Sequence, residues 1–229
     1  FPFVLILASL AGLLLLEPHL SGTLLIFSIG FVMMLVGGTR LIWFGAAIGL
    51  LVAGIASAII IKPDLVWYAQ DRLRYWLDPW QDPLGLGHQV IQSIYAIGSG
   101  GLFGLGIGNS RQKHLYLPEP QNDFIFAVVC EELGFIGALM VIFLFIALMW
   151  RGALIACKAK DRFGSMLVVG IITQVTVQAA LNIAVVTNTI PNTGISLPFF
   201  SYGGTSLMML LGEMGVVLSV SRQSSINTG

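Results

Sequence analysis

Apolar residues in this chain gather into six nearly unbroken stretches, at 1–16, 20–36, 41–61, 124–150, 164–186 and 205–220. A helix needs roughly 17 to 25 predominantly apolar residues to cross a bilayer, so the pattern predicts six membrane spans. The first stretch is short and opens on Phe1, with no charged flank and no small-residue cleavage site. It reads as a helix cut at a boundary and not as a secretory signal, and the chain is expected to be the C-terminal part of a larger membrane protein.

Two connections break the apolar pattern at length. The first, 62–123, has 62 residues, where loops beyond about 12 to 15 residues are usually functional or disordered. Apolar and aromatic residues recur throughout it and argue against disorder. Residues 65–77 read as an amphipathic helix lying in the interface, DPWQDP from Asp78 to Pro83 forces a turn, and 89–97 reads as a second short interfacial helix. The run GSGGLFGLGIG at 98–108 follows no strand and opens no soluble helix, so it is read as a flexible re-entrant or hinge segment and not as a nucleotide-binding loop. In the second connection, 190–204, Pro191, Gly194, Pro198, Gly203 and Gly204 preclude a continuous helix, and Thr205 or Ser206 can cap the span that follows. Non-helical backbone at membrane depth is tolerated where it lines a cavity within the protein.

Composition agrees with the pattern. Hydrophobic residues make up 56% and charged residues only 10%, and mean hydropathy is +0.90, where a soluble domain is about a quarter charged. The expected fold is an all-α integral membrane protein: a polytopic helical bundle of about six spans forming a single membrane domain over 1–229. Cys130 falls inside a span and Cys157 in a short loop, so no disulfide framework is expected. No nucleic-acid partner is expected.

Charge then sets the orientation. Arg40, Arg151, Lys158, Lys160, Arg162 and Arg222 share one side with a single acid, Asp161. Lys62, Arg72, Arg74, Arg111 and Lys113 share the other with seven acids, Glu17, Asp64, Asp71, Asp78, Asp82, Glu119 and Asp123. Cations near span ends resist translocation, which assigns the first side to the cytoplasm and makes 62–123 and 190–204 extracellular. Trp67, Trp76 and Trp80 would mark the outer interface, and Trp43 and Trp150 the inner one.

Three acids remain, Glu131, Glu132 and Glu213, all inside spans. A charge at the bilayer centre costs at least ~2.5 kcal/mol, so such residues are functional or paired within the bundle. Gln174, Gln178 and Asn182, spaced i, i+4, i+8, form a polar stripe on one helix face and are read as structural glue, with the three glutamates as candidate acceptors. Asp123 stands at the start of a span. It can cap that helix, or Asn122 can cap it and leave Asp123 facing a cavity, placed to take a proton from a substrate hydroxyl. The cations Arg72, Arg74, Arg111 and Lys113 suit phospholipid headgroups or, alternatively, a clamp on phosphate or pyrophosphate.

The blocks EPHLSGT, DPWQDPLGLGHQVIQS, GNSRQKHLYLPEPQ, NDFIFAVVCEELGFIG and PNTGISLPFFSYGGTS occur in this order from Glu17 to Ser206. Together they resemble the SEDS family (shape, elongation, division and sporulation), which includes FtsW, RodA and SpoVE. The family's ten-span architecture makes this chain similar to the last six spans. The resemblance implies a peptidoglycan glycosyltransferase of the bacterial cytoplasmic membrane that polymerises lipid II into β-1,4 glycan strands on the outer face. It implies Asp123 as the general base, with Arg72, Arg74 and Lys113 near the pyrophosphate leaving group and Ser201, Gly203 and Gly204 as further substrate contacts. It implies a class B penicillin-binding protein as partner and no organic cofactor, and it leaves a divalent cation open. A lipid II flippase and a non-catalytic scaffold for the transpeptidase are the alternatives. His19, Asn188 and Asn192 depart from the usual Asp, Gly and aliphatic residue, while Thr193 stands where some division-type members carry Lys, which points to the sporulation or Gram-positive division branch.

Overall fold

The computed structural model describes residues 6, 9, 10, 13, 20–61, 71, 73–85, 87–112 and 121–223. The described residues form helices α1 (Leu20–Val36), α2 (Leu41–Ile61), α3 (His88–Gly100), α4 (Ile125–Cys157), α5 (Arg162–Val186) and α6 (Gly204–Gln223), a 3-10 turn at Pro79–Gln81, and no strand. α4, α5 and α6 are each long and apolar enough to cross a membrane. α1 and α2, apolar helices of 17 and 21 residues, coincide with two more of the expected spans. Most of the stretch 1–16 and most of the helix expected at 65–77 lie outside the described residues, although 73–77 is helical. Cys157 is the last residue of α4 and not part of a loop, because the helix runs on past Trp150 through RGALIAC, which contains no breaker after Gly152. Both cysteines are free.

The chain divides into two compact units. One comprises 1–70, 152–174 and 217–229, the other 71–151 and 175–216. In the first, buried Met34 and Phe44 pack with Ile26 and Trp43, and the Phe31 and Phe44 rings meet edge to face at 4.9 Å. Asp161 opens α5 by accepting the Gly164 N–H at 3.0 Å, the position its side chain takes as a helix cap. In the second unit, Phe124, Phe126, Ala127 and Cys130 from the start of α4 pack with Ala96 of α3, Ala179, Val185 and Val186 of α5, and Leu197.

Within this second unit α4 is broken. Gly134 takes φ 68°, ψ −169° inside the helix. Two helical bonds, from 135 to 131 and from 136 to 132, are thereby lost, and a buried backbone group left unpaired is costly. The glycine-rich run supplies all four missing partners. Leu105 N–H donates to Glu131 O (2.9 Å) and Gly106 N–H to Glu132 O (3.0 Å), while Phe135 N–H donates to Gly101 O (2.9 Å) and Ile136 N–H to Leu102 O (3.3 Å). The backbones are so close that a Cβ on Gly104 would lie 2.1 Å from Glu132 O, and one on Gly134 would lie 2.3 Å from Gly104 N. The run read as a flexible re-entrant or hinge segment is therefore docked, and its glycines are the means of docking.

Glu131, 1% exposed, finishes this junction. Its side chain accepts the Ser110 hydroxyl at 2.5 Å and the Arg111 N–H at 3.0 Å.

Candidate functional site at Asp123

Asp123 lies in the turn 121–124 that feeds α4, and its side chain is half-buried. Because α4 starts at Ile125, Phe124 occupies the cap position, and Asp123 stands one residue before it. The turn is held by three successive backbone carbonyls, each accepting a hydrogen bond from a distant segment. Tyr202 N–H donates to Gln121 O at 2.8 Å, the Ser201 hydroxyl to Asn122 O at 2.6 Å, and the Asn182 amide to Asp123 O at 2.7 Å.

The 190–202 segment that clasps this turn is itself tied down. Asn182 also donates to Ile195 O at 2.6 Å, and Gln178 donates to Ser196 O at 3.1 Å. Ser201 Oγ accepts the Leu197 N–H at 2.7 Å. Asn192 accepts the Gly194 N–H at 3.1 Å and donates to Gln89 of α3 at 3.0 Å. Gly194, with φ +70°, faces the acid directly: a Cβ built there would lie 3.5 Å from Asp123 Oδ2. Gly194 is exposed, so the carboxylate is walled there by a residue without a side chain. A carboxylate on a turn fixed at three points is preorganised to accept a proton from a hydroxyl group.

The other expected site residues fall out as follows. Arg72 and Lys113 lie outside the described residues. Arg74 is exposed and its Nε donates to Gln81 at 2.6 Å within a local bracket closed by Gln81 to Asp78 at 3.1 Å. Arg111 has its backbone on Glu131 and is exposed. Ser201 joins the site through the turn it holds, with its hydroxyl donating once and accepting once inside the protein. Gly203 precedes α6 and Gly204 begins it. Ser206 donates back to Gly203 O at 2.9 Å, so the last helix starts on its glycine and this bond is not the cap expected of Ser206. The stripe residues Gln178 and Asn182 reach loop carbonyls and Glu131 reaches Ser110 and Arg111. The expected stripe-to-glutamate pairing at Glu131 is replaced by loop groups on both sides: loop carbonyls for Gln178 and Asn182, the Ser110 hydroxyl and Arg111 N–H for Glu131. Gln174, Glu132 and Glu213 are half-buried. A cavity of about 380 Å³ between α4 and α5, lined by Phe145, Met149, Ala180, Ile183 and Thr187 among others, contains neither Asp123 nor the residues that hold it. Among the described residues no three His, Cys, Asp or Glu side chains cluster as a metal site.

Sequence reasoning missed one tie to α5. Its C-terminus closes through Asn188 N–H to Val185 O (2.9 Å) and Thr189 N–H to Ala184 O (2.8 Å), with Asn188 at φ 55°. That left-handed position favours Gly and tolerates Asn. Asn188 then receives the Trp76 indole N–H on its carbonyl at 3.0 Å, so Trp76 is a tie between segments as well as an aromatic. The unusual Asn188 was the available signal.

The cell cycle protein family of FtsW, RodA and SpoVE matches residues 1–226. Stage V sporulation protein E of Bacillus subtilis (strain 168) is 49% identical over 209 residues, covering 91% of this chain and 56% of that protein. A probable peptidoglycan glycosyltransferase FtsW of Trichlorobacter lovleyi is 40% identical over 226 residues, covering 96% of this chain and 57% of its own. Among solved structures, one reported as structural coordination of polymerization and crosslinking by a peptidoglycan synthase complex superposes with TM-score 0.73 at 32% identity, over 98% of this chain and 62% of that one. The rod shape determining protein RodA of Thermus thermophilus superposes with TM-score 0.61 at 28% identity, over 98% and 56%. The chain thus spans a little more than half the length of the curated relatives it matches. By family match, relatives and helical architecture alike, this chain is a polytopic membrane protein that belongs to the FtsW, RodA and SpoVE (SEDS) family.

Proposed function

We propose that the protein carrying this chain is a peptidoglycan glycosyltransferase that polymerises lipid II, with Asp123 as general base. The observation that carries the proposal is the placement of Asp123 on a turn pinned at three consecutive carbonyls, its carboxylate against exposed Gly194. In this reading Asp123 takes the proton from the acceptor sugar hydroxyl as that oxygen bonds to the donor anomeric carbon. The bond from that carbon to undecaprenyl pyrophosphate breaks with inversion. Removing a proton in the transition state by a positioned carboxylate typically contributes about 10²- to 10⁴-fold. Arg74, Arg72 and Lys113 are assigned to the departing pyrophosphate, with electrostatic stabilisation as their role.

The charge asymmetry between the connections supports an outward-facing site, with 62–123 and 190–204 extracellular. A class B penicillin-binding protein is the proposed partner, in keeping with the peptidoglycan synthase complex among the structural relatives. The transporter alternative draws on glutamates within the membrane. Glu131 gives it little support, being engaged by Ser110 and Arg111 at the end of a docked segment.

The test is a gel assay of labelled lipid II with the full-length membrane protein and its partner, with moenomycin silencing contaminating polymerases of the other class. Wild type is expected to make glycan ladders and folded Asp123→Asn none. Ladders from both would reduce Asp123 to a structural residue. Ladders from neither, with lipid II still crossing liposome membranes, would favour the transporter.

A further inference from the structure

We propose that Asn182 is a positioning residue for Asp123: one buried amide on α5 sets the distance between the acid-bearing turn and the 190–202 segment. This rests on the catalytic reading of Asp123 given above. Asn182 is fully buried at 0% exposure. Its single nitrogen donates in two directions, to Asp123 O at 2.7 Å and to Ile195 O at 2.6 Å. The two carbonyls belong to segments far apart in the chain, and each borders the site. One is the acid's own. The other follows Gly194, the residue against Asp123 Oδ2.

The chemistry of the two carbonyls dictates the residue. Both are acceptors, so the group between them must offer two hydrogens from one atom, which an amide nitrogen does and a hydroxyl or a carboxylate does not. Flipping the amide would set its oxygen against two carbonyl oxygens. Asn182 Oδ1 is buried with no hydrogen-bond partner among the described atoms, so the orientation is held although it leaves an acceptor unsatisfied. A residue there only to glue helices would be expected to satisfy its own oxygen as well. The role in the interior of α5 is thus directed at the two segments beside the acid, where a misplacement of about 1 Å can cost 10²-fold in rate.

The test compares Asn182→Ala and Asn182→Asp with Ser93→Ala in the full-length membrane protein with its partner. Ser93 is also buried and also donates to a backbone carbonyl, Val186 O at 2.7 Å, but touches neither segment at the acid. Both Asn182 variants are expected to lower kcat at least about 10-fold with KM for lipid II within about threefold, while Ser93→Ala keeps kcat within about threefold. Hydrogen exchange in Asn182→Ala should accelerate at the amides of 121–127 and 195–202 together. A kcat loss in Asn182→Ala no larger than in Ser93→Ala at equal loss of thermal stability would overturn the proposal, as would an Asn182→Asp variant with wild-type kcat. If the wild-type protein makes no glycan, the polymerase reading fails, and exchange decides the clamp alone: unchanged protection at 121–127 in Asn182→Ala overturns it.

Discussion

Residues 101–111 and residues 190–202 are both irregular backbone laid against a membrane helix in the same compact unit, and opposite means hold them. The first docks backbone to backbone, with four main-chain bonds filling the break at Gly134. The second docks mainly through side chains, with Asn182, Gln178 and Ser201 reaching loop carbonyls or amides. Backbone docking tolerates no Cβ at the contact, so it demands glycine. Side-chain docking demands amides and hydroxyls, and each can be tuned by one substitution. The rigid clasp is a scaffold, whereas the adjustable one holds the turn that carries Asp123, the proposed general base.

The contrast breaks most severely at the glycine pair. Gly134→Ala combines a positive φ with a Cβ about 2.3 Å from a backbone nitrogen, so it is expected to cost more than the ~1–3 kcal/mol of left-handed strain alone and to leave no monodisperse protein in detergent. Gly108→Ala has a similar φ, +84°, but nothing within 4 Å, and should show only the strain as a lowered melting temperature. Next comes Glu131→Ala, which leaves the buried Ser110 hydroxyl and the Arg111 N–H without their acceptor. A loss of about 2–5 kcal/mol is expected, with faster hydrogen exchange confined to 105–111.

Ser201→Ala sharpens the other side of the comparison. It removes one donated and one accepted bond, so a loss of about 1–3 kcal/mol is expected, together with a fall in kcat that Glu131→Gln at matched stability should not show. The smallest effect belongs to Asn188→Gly. Relief of the left-handed residue is set against loss of the 3.5 Å Asn188 contact to Trp76 O, and the melting temperature should shift by no more than the equivalent of about 1 kcal/mol. A large destabilisation there would mean that the Asn188 side chain, and not its carbonyl, carries the tie to Trp76.

Much of this was legible in the chain. Five of the six apolar stretches coincide with helices, the DPWQDP turn is present with Asp78 accepting the Trp80 N–H at 3.3 Å, and the short helix expected at 89–97 appears as His88–Gly100. Asp123 could be singled out from its place before a span. Its holders could be seen only as types: a stripe of Gln178 and Asn182, and a serine in a glycine-rich loop. Asn182 and Asp123 are 59 positions apart, and Trp76 and Asn188 are 112 apart. No local pattern names such partners.

Five of the expected membrane helices, the candidates for chemistry and the family were all readable along the chain. Bilayer insertion is a condition on length and apolarity within one stretch, and such conditions can be read one stretch at a time. Only the tertiary structure decided that the glycine run repairs a broken helix, that Glu131 secures that repair, and that the polar stripe reaches for the turn carrying Asp123. Those outcomes depend on which unsatisfied donors and acceptors meet when distant segments pack, and in a medium without water each must find a partner within the protein.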